Sequence, residues 1–382
     1  MYAGQRPRLR RIVSLLILVS FLLAACGVAT ENQNWPGMTA RDDVVYVAYG
    51  PRVLAVDMTE RQLLWSFPDE VRPGLFFYAP PSVSDASVVL GDFGVSGGFF
   101  SPGTTVTVYR LNQESNGVSV AWSAADLATD RIVAGALQAE GMVFVGTSDN
   151  KLLALNAGTG ELAWSFETEH SIWAEPVYAD GVLYMASLDN IVYALDADSG
   201  ELLWQAEMGG SVASQPVLDD GVLYVSSFDR AVHALDASSG EQLWQADADT
   251  WVWGSPVVNE AVYFADLDGS VFAVSRDGGA ELWQAQVPGA VQSASLYADG
   301  RLYVASGNVE GDADLRVGRV TAFDADSGEQ LWQQQAPAPV FTAPVQVGNS
   351  VVVAVTVGAD LQLLVYNMES GAQEWTFSPP SE

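Results

Sequence analysis

The chain has 382 residues and a formal net charge of −31 at pH 7, from 47 acidic and 16 basic residues. Nucleic acid and anionic lipid headgroups are bound through basic residues, so this charge excludes nucleic acid as a partner. A single cysteine excludes a disulfide within the chain and a cysteine-based zinc site.

The first element in chain order is a targeting segment. Four arginines lie within residues 6–11, an apolar run covers residues 12–23, and the sequence Leu23-Ala24-Ala25-Cys26 follows. This order is typical of a signal peptide, and the run is shorter than the roughly 20 residues that a membrane-spanning helix needs. The last four residues resemble the bacterial lipobox, which implies cleavage after residue 25 and lipidation of Cys26. Residues 26–32 would then be a tether; an ordinary signal peptide with an incidental cysteine is the alternative.

Residues 33–379 repeat one short phrase eight times, at intervals of about 40 residues. No stretch after residue 30 has a helical apolar period. Repeats of this length, built from alternating apolar runs, predict an all-β protein, a β-propeller with four antiparallel strands per blade. Eight blades are expected, or seven if the second copy is degenerate. Each copy ends in tryptophan: Trp65, Trp122, Trp164, Trp204, Trp244, Trp283, Trp332 and Trp375.

The copy at residues 172–207 illustrates the predicted blade. Asp196 is expected to accept hydrogen bonds from the turn that follows it, and Gly200 to adopt the left-handed conformation that closes the hairpin. Trp204 is expected to pack between neighbouring blades. The four strands are predicted at residues 172–178, 182–187, 191–196 and 201–206.

The phrase A-x-D-x-x-x-G-x-x-x-W resembles the hallmark of the pyrroloquinoline-quinone-like (PQQ-like) propeller repeat. Other copies depart from it, with Asn156, Asn367 or Ser275 for the aspartate and Arg61 for the glycine. The complete copies contain Asp196, Gly200 and Trp204; Asp236, Gly240 and Trp244; and Asp324, Gly328 and Trp332.

With the lipobox, the resemblance implies a protein similar to the propeller lipoprotein of the outer-membrane β-barrel assembly machinery. That similarity implies a non-catalytic, extracytoplasmic scaffold that binds other envelope proteins. Quinone dehydrogenases with the same repeat typically carry a vicinal cysteine pair and calcium. The lone Cys26 does not fit that pattern, and no cofactor is expected.

A candidate binding site is predicted at one mouth of the central channel. When the repeats are aligned on their prolines, aromatic residues share one position, and two further aromatics lie two residues earlier. Glu175, Gln215 and Ser255 occupy the next inward position. An aromatic rim above a polar floor suits a sugar or a peptide, whereas packing beneath the loops is the alternative reading. The candidates are Phe76, Tyr78, Trp173, Glu175, Trp251, Trp253 and Phe341.

Two insertions, at residues 91–103 and 308–317, interrupt the regular repeat. The second is acidic enough for calcium binding to stay an open question, although no metal site is predicted. The first contains a G-x-S-x-G pattern around Ser96, but no helix follows it, so no catalytic residue is predicted. Three functions stay open: a scaffold, a solute-binding lipoprotein, and a quinone- or metal-dependent enzyme.

Overall fold

The computed structural model describes residues 36–96, 104–114, 117–308, 317–357 and 360–380. The predicted signal peptide, Cys26 and its tether lie outside these residues, as does most of the acidic loop at 308–317.

The described residues contain no helix and form eight four-stranded antiparallel sheets, which confirms the prediction of an eight-bladed all-β propeller. Blades 1 to 4 consist of β1 (Gly37–Arg41), β2 (Val44–Tyr49), β3 (Arg52–Asp57) and β4 (Gln62–Phe67); β5 (Ser82–Val83), β6 (Ser87–Gly91), β9 (Thr107–Glu114) and β10 (Gly117–Ala125); β11 (Leu137–Ala139), β12 (Met142–Gly146), β13 (Lys151–Asn156) and β14 (Leu162–Glu167); and β15 (Val177–Ala179), β16 (Val182–Ala186), β17 (Ile191–Asp196) and β18 (Leu202–Glu207).

Blades 5 to 8 have the same order, so each blade is a continuous stretch of chain. Among the described residues, blade 2 carries an inserted hairpin, formed by β7 (Val95–Ser96) and β8 (Thr104–Thr105). The remaining strands are β19 (Val217–Asp219), β20 (Val222–Ser227), β21 (Ala231–Asp236) and β22 (Gln242–Asp247); β23 (Val257–Val258), β24 (Val262–Ala265), β25 (Ser270–Val274) and β26 (Glu281–Gln286); β27 (Leu296–Ala298), β28 (Arg301–Gly307), β29 (Gly318–Asp324) and β30 (Gln330–Ala336); and β31 (Val345–Val347), β32 (Ser350–Val357), β33 (Asp360–Asn367) and β34 (Gln373–Phe377).

The first strand of blade 4 is shorter than its sequence pattern predicts. In blade 4 the predicted strand at 172–178 pairs only over Val177–Ala179. Pro176 has no N–H to donate to a neighbouring strand, and residues 171–175 belong to no strand and bend at Ala174. The fourth strand is shifted by one residue, to Leu202–Glu207.

Within a blade, the alanine of the repeat makes room for two aromatic rings. Ala194 is fully buried and lies in register between Tyr184 on one side and Trp204 on the other. The two rings meet across it, with their centroids 6.0 Å apart. A β-bulge at Leu203 skips one residue just before the tryptophan, and this shift turns the indole inward.

Between blades, six of the eight repeat tryptophans reach the turn of the next blade. The Trp204 Nε1–H donates to the carbonyl oxygen of Ala237 at 3.0 Å. The indole lies against Gly240, where an added Cβ would come within 2.5 Å of Trp204 Cε3 and where φ is +74°. The glycine is therefore required both for the turn and for the ring that packs on it. The same indole hydrogen bond is made by Trp122, Trp164, Trp244, Trp283 and Trp332.

The ring closes by packing of blade 8 on blade 1, and no described strand of one blade joins the sheet of the other. Val45 and Val47 from blade 1 belong to one buried cluster with Val352 and Ala354 from blade 8. Arg61 stands where other repeats have glycine, at a φ of +56°. Its guanidinium carbon lies 5.4 Å from the centre of the Trp375 ring, so a cation–π contact replaces the glycine contact.

Candidate functional site

The candidate residues lie in the extended segments that lead into the innermost strands. In blade 4, Ile172 and Ala174 are buried, whereas Trp173 and Glu175 are partly exposed. Ile172 packs on Gly146 of blade 3, where an added Cβ would touch its side chain. The buried residues therefore face the neighbouring blade, and the others face the open side. The same alternation places Phe76, Tyr78, Trp251, Trp253 and Phe341 on the less buried side.

Three aromatic rings of blade 2 form the first group, here called the blade-2 cluster: Phe76, Tyr78 and Phe93. The Phe76 and Tyr78 rings are nearly parallel, with centroids 6.3 Å apart, and Phe93 meets Tyr78 edge-on at 4.7 Å. The guanidinium carbon of Arg131, from blade 3, lies 4.9 Å from the centre of the Phe93 ring. Burial raises the pKa of the Tyr78 hydroxyl, which therefore stays protonated.

The second group, the blade-5/6 cluster, consists of Phe228, Trp251 and Trp253. Phe228 comes from the turn between β20 and β21, and its ring stacks on Trp251 at 5.4 Å and contacts Trp253 at 5.0 Å. Trp251 remains 49% exposed, so one face of this cluster is open to a ligand.

Sequence analysis missed Phe93 and Phe228, although a signal was present. Both residues stand at the same place in the turn between the second and third strands, where blade 4 has Leu188. An alignment of these turns would have shown that this position is aromatic in blades 2 and 5 and not aromatic in blade 4. The turn residues then reach across to the aromatic residues that the alignment had identified.

The other two predicted aromatics stand apart from these clusters. Trp173 is 36% exposed, and its indole N–H donates to the Ser148 hydroxyl at 3.2 Å, which fixes the ring on blade 3. Phe341 is partly buried and lies beside Gly307, where an added Cβ would be 3.2 Å from its ring. The structure thus joins four of the six predicted aromatics into two separate clusters and leaves these two elsewhere along the ring.

Glu175 has the most unusual electrostatic environment of the candidates. Its Oε2 occupies the space that a side chain at Gly135 of blade 3 would need, and the same space borders the Pro80 carbonyl oxygen of blade 2. Burial raises the pKa of the Glu175 carboxyl from 4.5 to about 7, and among the described residues no charge or hydrogen bond counteracts this rise.

The buried histidine has a structural environment. His233 Nε2 lies 2.9 Å from Asp229 Oδ2, and its Nδ1 lies 2.9 Å from Gln242 Oε1. Burial alone lowers the pKa of His233, but the bonds to Asp229 and Gln242 outweigh it and raise the pKa. In blade 4 the Tyr193 hydroxyl makes the corresponding bond to Asp189, at 2.8 Å. Both side chains tie a third strand to the turn before it.

Two negative findings apply to the described ranges, which omit residues 309–316. In them, no three His, Cys, Asp or Glu side chains group closely enough to hold a metal ion. The same ranges hold no helix with the length and apolarity needed to cross a membrane.

Comparison with solved structures identifies the same fold in proteins of different kinds. BamB from Moraxella catarrhalis is 22% identical, over 72% of this chain and 82% of its own, with a TM-score of 0.57. The computationally designed Ika8 protein is 16% identical over 82% of this chain and 89% of its own, with a TM-score of 0.65. A europium-containing methanol dehydrogenase is 13% identical over 79% of this chain and 78% of its own, with a TM-score of 0.64. These likenesses show the fold alone.

Comparison with protein families is more specific. No curated protein matches the sequence. Residues 52–214, 188–289 and 267–382 each match the family model described as outer membrane protein assembly factor BamB. These segments together span nearly the whole propeller, and the chain therefore belongs to the outer membrane protein assembly factor BamB family.

Proposed function

We propose that this protein is a non-catalytic, lipid-anchored scaffold that binds other envelope proteins during the assembly of outer-membrane proteins. The observation that carries the proposal is the family match across residues 52–382. A rigid ring of eight blades suits this role, because it presents a large preformed surface that loses little conformational entropy on binding.

The anchor in this proposal is Cys26. It follows Leu23-Ala24-Ala25 and is the only cysteine of the chain, so it is the single candidate for a lipidated thiol. Full-length protein is expected in the membrane fraction, and the Cys26→Ser variant in the soluble fraction. Equal membrane retention of both would refute the anchor without touching the scaffold role.

The proposed docking surface is the mouth with the two aromatic clusters. Aromatic side chains supply large contact areas at low entropic cost and are enriched among the residues that dominate binding energy. Trp251 is half exposed and already held in place by Phe228, which makes the blade-5/6 cluster the stronger anchor.

Affinity capture from mildly solubilised native membranes, followed by mass spectrometry, tests the scaffold role. We expect stoichiometric envelope proteins with the full chain and their loss with the paired change Trp251→Ala and Trp253→Ala. Leu282→Ala is the matched control, because Leu282 is 57% exposed but lies on an outer edge strand. A preparation without partners, or equal loss with the control, would contradict the proposal.

The second candidate function is a solute-binding lipoprotein that takes a sugar or peptide at the same mouth. The open face of Trp251 favours it. It predicts saturable, ligand-dependent quenching of indole fluorescence that disappears with the paired Trp251 and Trp253 substitution. The third candidate, a quinone- or metal-dependent enzyme, predicts a coloured quinone or a stoichiometric metal in the purified full chain.

A further inference from the structure

Glu175 is the one charged residue at its level of the channel. Strand register assigns the equivalent position in every blade, and the other seven side chains are uncharged. A carboxylate at this place is therefore a departure from the repeat and not a part of it. The other seven are Gly37, Pro80, Gly135, Gln215, Ser255, Ala294 and Ala343.

A second oxygen acceptor lies near this carboxylate. Glu175 Oε2 and the Pro80 carbonyl oxygen both border the point where Gly135 lacks a side chain. Both atoms accept hydrogen bonds and neither can donate one to the other while Glu175 is ionised. Two neighbouring acceptors suit a ligand that brings donors and a positive charge.

The surroundings supply no such charge themselves. Gly135 and Pro80 face the carboxylate, Gln215 holds the equivalent place in blade 5, and none of the three titrates. No described charged group shifts the pKa of Glu175, which burial alone raises to about 7. The overall charge of −31 also favours the approach of a cation.

An aromatic side chain lies on the same side of the segment as Glu175. Trp173 precedes Glu175 by two residues on the same, less buried side, and its ring is held by the bond to Ser148. An alkyl chain can pack along an indole while its charged end reaches further in.

We propose that Glu175, the Pro80 carbonyl and Trp173 form a receptor site for a primary ammonium group on an alkyl stem. The ligand is a lysine side chain of the docking partner, and this identification of the source rests on the proposed scaffold function. Lysine fits better than arginine, because its ammonium is compact and offers three donors on a flexible stem, whereas a guanidinium is planar and wide.

The site makes binding depend on pH. The ammonium pairs with ionised Glu175, so the carboxyl must lose its proton before or during binding. The pKa of Glu175 is about 7, so its protonated fraction grows below that pH and binding of the ammonium group weakens as pH falls. Above that pH the affinity is constant until the lysine itself deprotonates.

The test is an NMR titration of the full chain with Nα-acetyl-lysine N-methylamide, followed through the Trp173 indole N–H resonance, which every variant retains. The norleucine analogue, which lacks only the ammonium, is the matched probe. For the lysine probe we expect a Kd about 100-fold weaker at pH 5 than at pH 8, and for the norleucine probe a weak Kd that does not change with pH.

Two variants separate the site from the fold. Glu175→Gln copies the residue of blade 5 and is expected to abolish both lysine selectivity and its pH dependence. Gly135→Ala keeps the glutamate but puts a methyl group where Oε2 lies, so the carboxylate must move, and lysine binding is expected to weaken at least tenfold. Equal affinity for the two probes, or an unchanged pH dependence in Glu175→Gln, would overturn the proposal.

Affinity capture from membranes distinguishes a failure of the proposed lysine site from a failure of the proposed scaffold function. If partners are captured but the lysine probe does not bind, the site is wrong and the scaffold stands. If the probe binds as expected but no partner is captured, the site stands and its ligand is a free amine.

Discussion

Asp196 holds its hairpin turn with a single oxygen atom. Oδ1 accepts from the Ser199 N–H at 2.8 Å and from the Ser199 hydroxyl at 2.7 Å. In blade 3, Asn156 Oδ1 accepts from Gly158 and Thr159 N–H groups at 2.9 and 3.0 Å. Because an amide oxygen makes the same bonds, the replacement of Asp by Asn in two repeats leaves the turn intact.

We therefore expect Asp196→Asn to keep the melting temperature at pH 7 and Asp196→Ala to lower it. The bonds from Ser199 hold the pKa of Asp196 below its ordinary value. A lowered carboxyl pKa stabilises the fold above the unfolded pKa and loses this effect as pH falls through the folded pKa. Thermal unfolding from pH 7 to pH 2 should show the alanine deficit shrinking in acid. If the stability lost in Asp196→Ala stays constant with pH, the loss has a cause other than these hydrogen bonds.

The pKa shift of Glu175 has the opposite sign to that of Asp196. Its pKa rises from 4.5 to about 7 in the folded protein, so ionisation opposes folding as pH increases through this range. Glu175→Gln should match the parent at pH 4.5 and exceed its free energy of unfolding by at most about 3 kcal/mol at pH 8. Urea unfolding at both pH values measures the difference. If the free energies of unfolding of the variant and the parent differ by the same amount at both pH values, burial does not penalise the charge of Glu175.

At the scale of the element, the blade depends on the triplet Tyr184, Ala194 and Trp204. Blade 8 departs from it in a concerted way, with Val352 and Val365 in the places of the tyrosine and the alanine, beside Trp375. A larger central residue is thus accompanied by a smaller neighbour, as close packing requires.

Ala194→Val alone is accordingly expected to lower the free energy of unfolding by about 1–3 kcal/mol, because the added methyl groups meet two rings. The double change of Ala194→Val with Tyr184→Val copies blade 8 and should cost less than the sum of the two single changes. Urea unfolding of all three variants measures this coupling. Strict additivity would mean that the rings do not meet over Ala194.

The repeat made most of this architecture predictable. A period of about 40 residues with alternating apolar positions is enough for the blade count, and the role of Gly240 follows from the Asp–Gly–Trp spacing. The bulge at Leu203 was not predictable, because a skipped residue leaves no mark in an alternating pattern.

The candidate site was less predictable than the fold. Alignment found the aromatics of the entering segments, such as Trp251, but not Phe228, whose contact joins two different blades. The environment of Glu175 depends on the missing side chain of Gly135, 40 residues earlier, and no local pattern reports a contact of that kind.

For the whole molecule, the junction between blades 8 and 1 differs from the other junctions. The described contact between the Arg61 guanidinium and the Trp375 ring stands where other repeats place glycine against indole. A non-glycine residue at a φ of +56° carries backbone strain of about 1 kcal/mol, and an exposed cation–π contact returns about 0.5–1 kcal/mol.

Arg61→Ala should therefore lower the free energy of unfolding by about 1 kcal/mol, since it keeps the strain and removes the contact. Arg61→Gly should lie within about 0.5 kcal/mol of the parent, because both terms disappear together. Chemical denaturation distinguishes the two variants. Identical free energies of unfolding would show that the contact does not stabilise the closure of the ring.

In the part of the chain that the structure describes, no strand of blade 8 pairs with a strand of blade 1, and this has a mechanical consequence. A load applied between residues 36 and 380 meets side-chain contacts, and no described strand ladder, where blade 8 rests on blade 1. Under single-molecule force the ring should part there first and at low tension. Terminal blades should then detach one by one, each releasing about 140 Å of extended chain for roughly 40 residues.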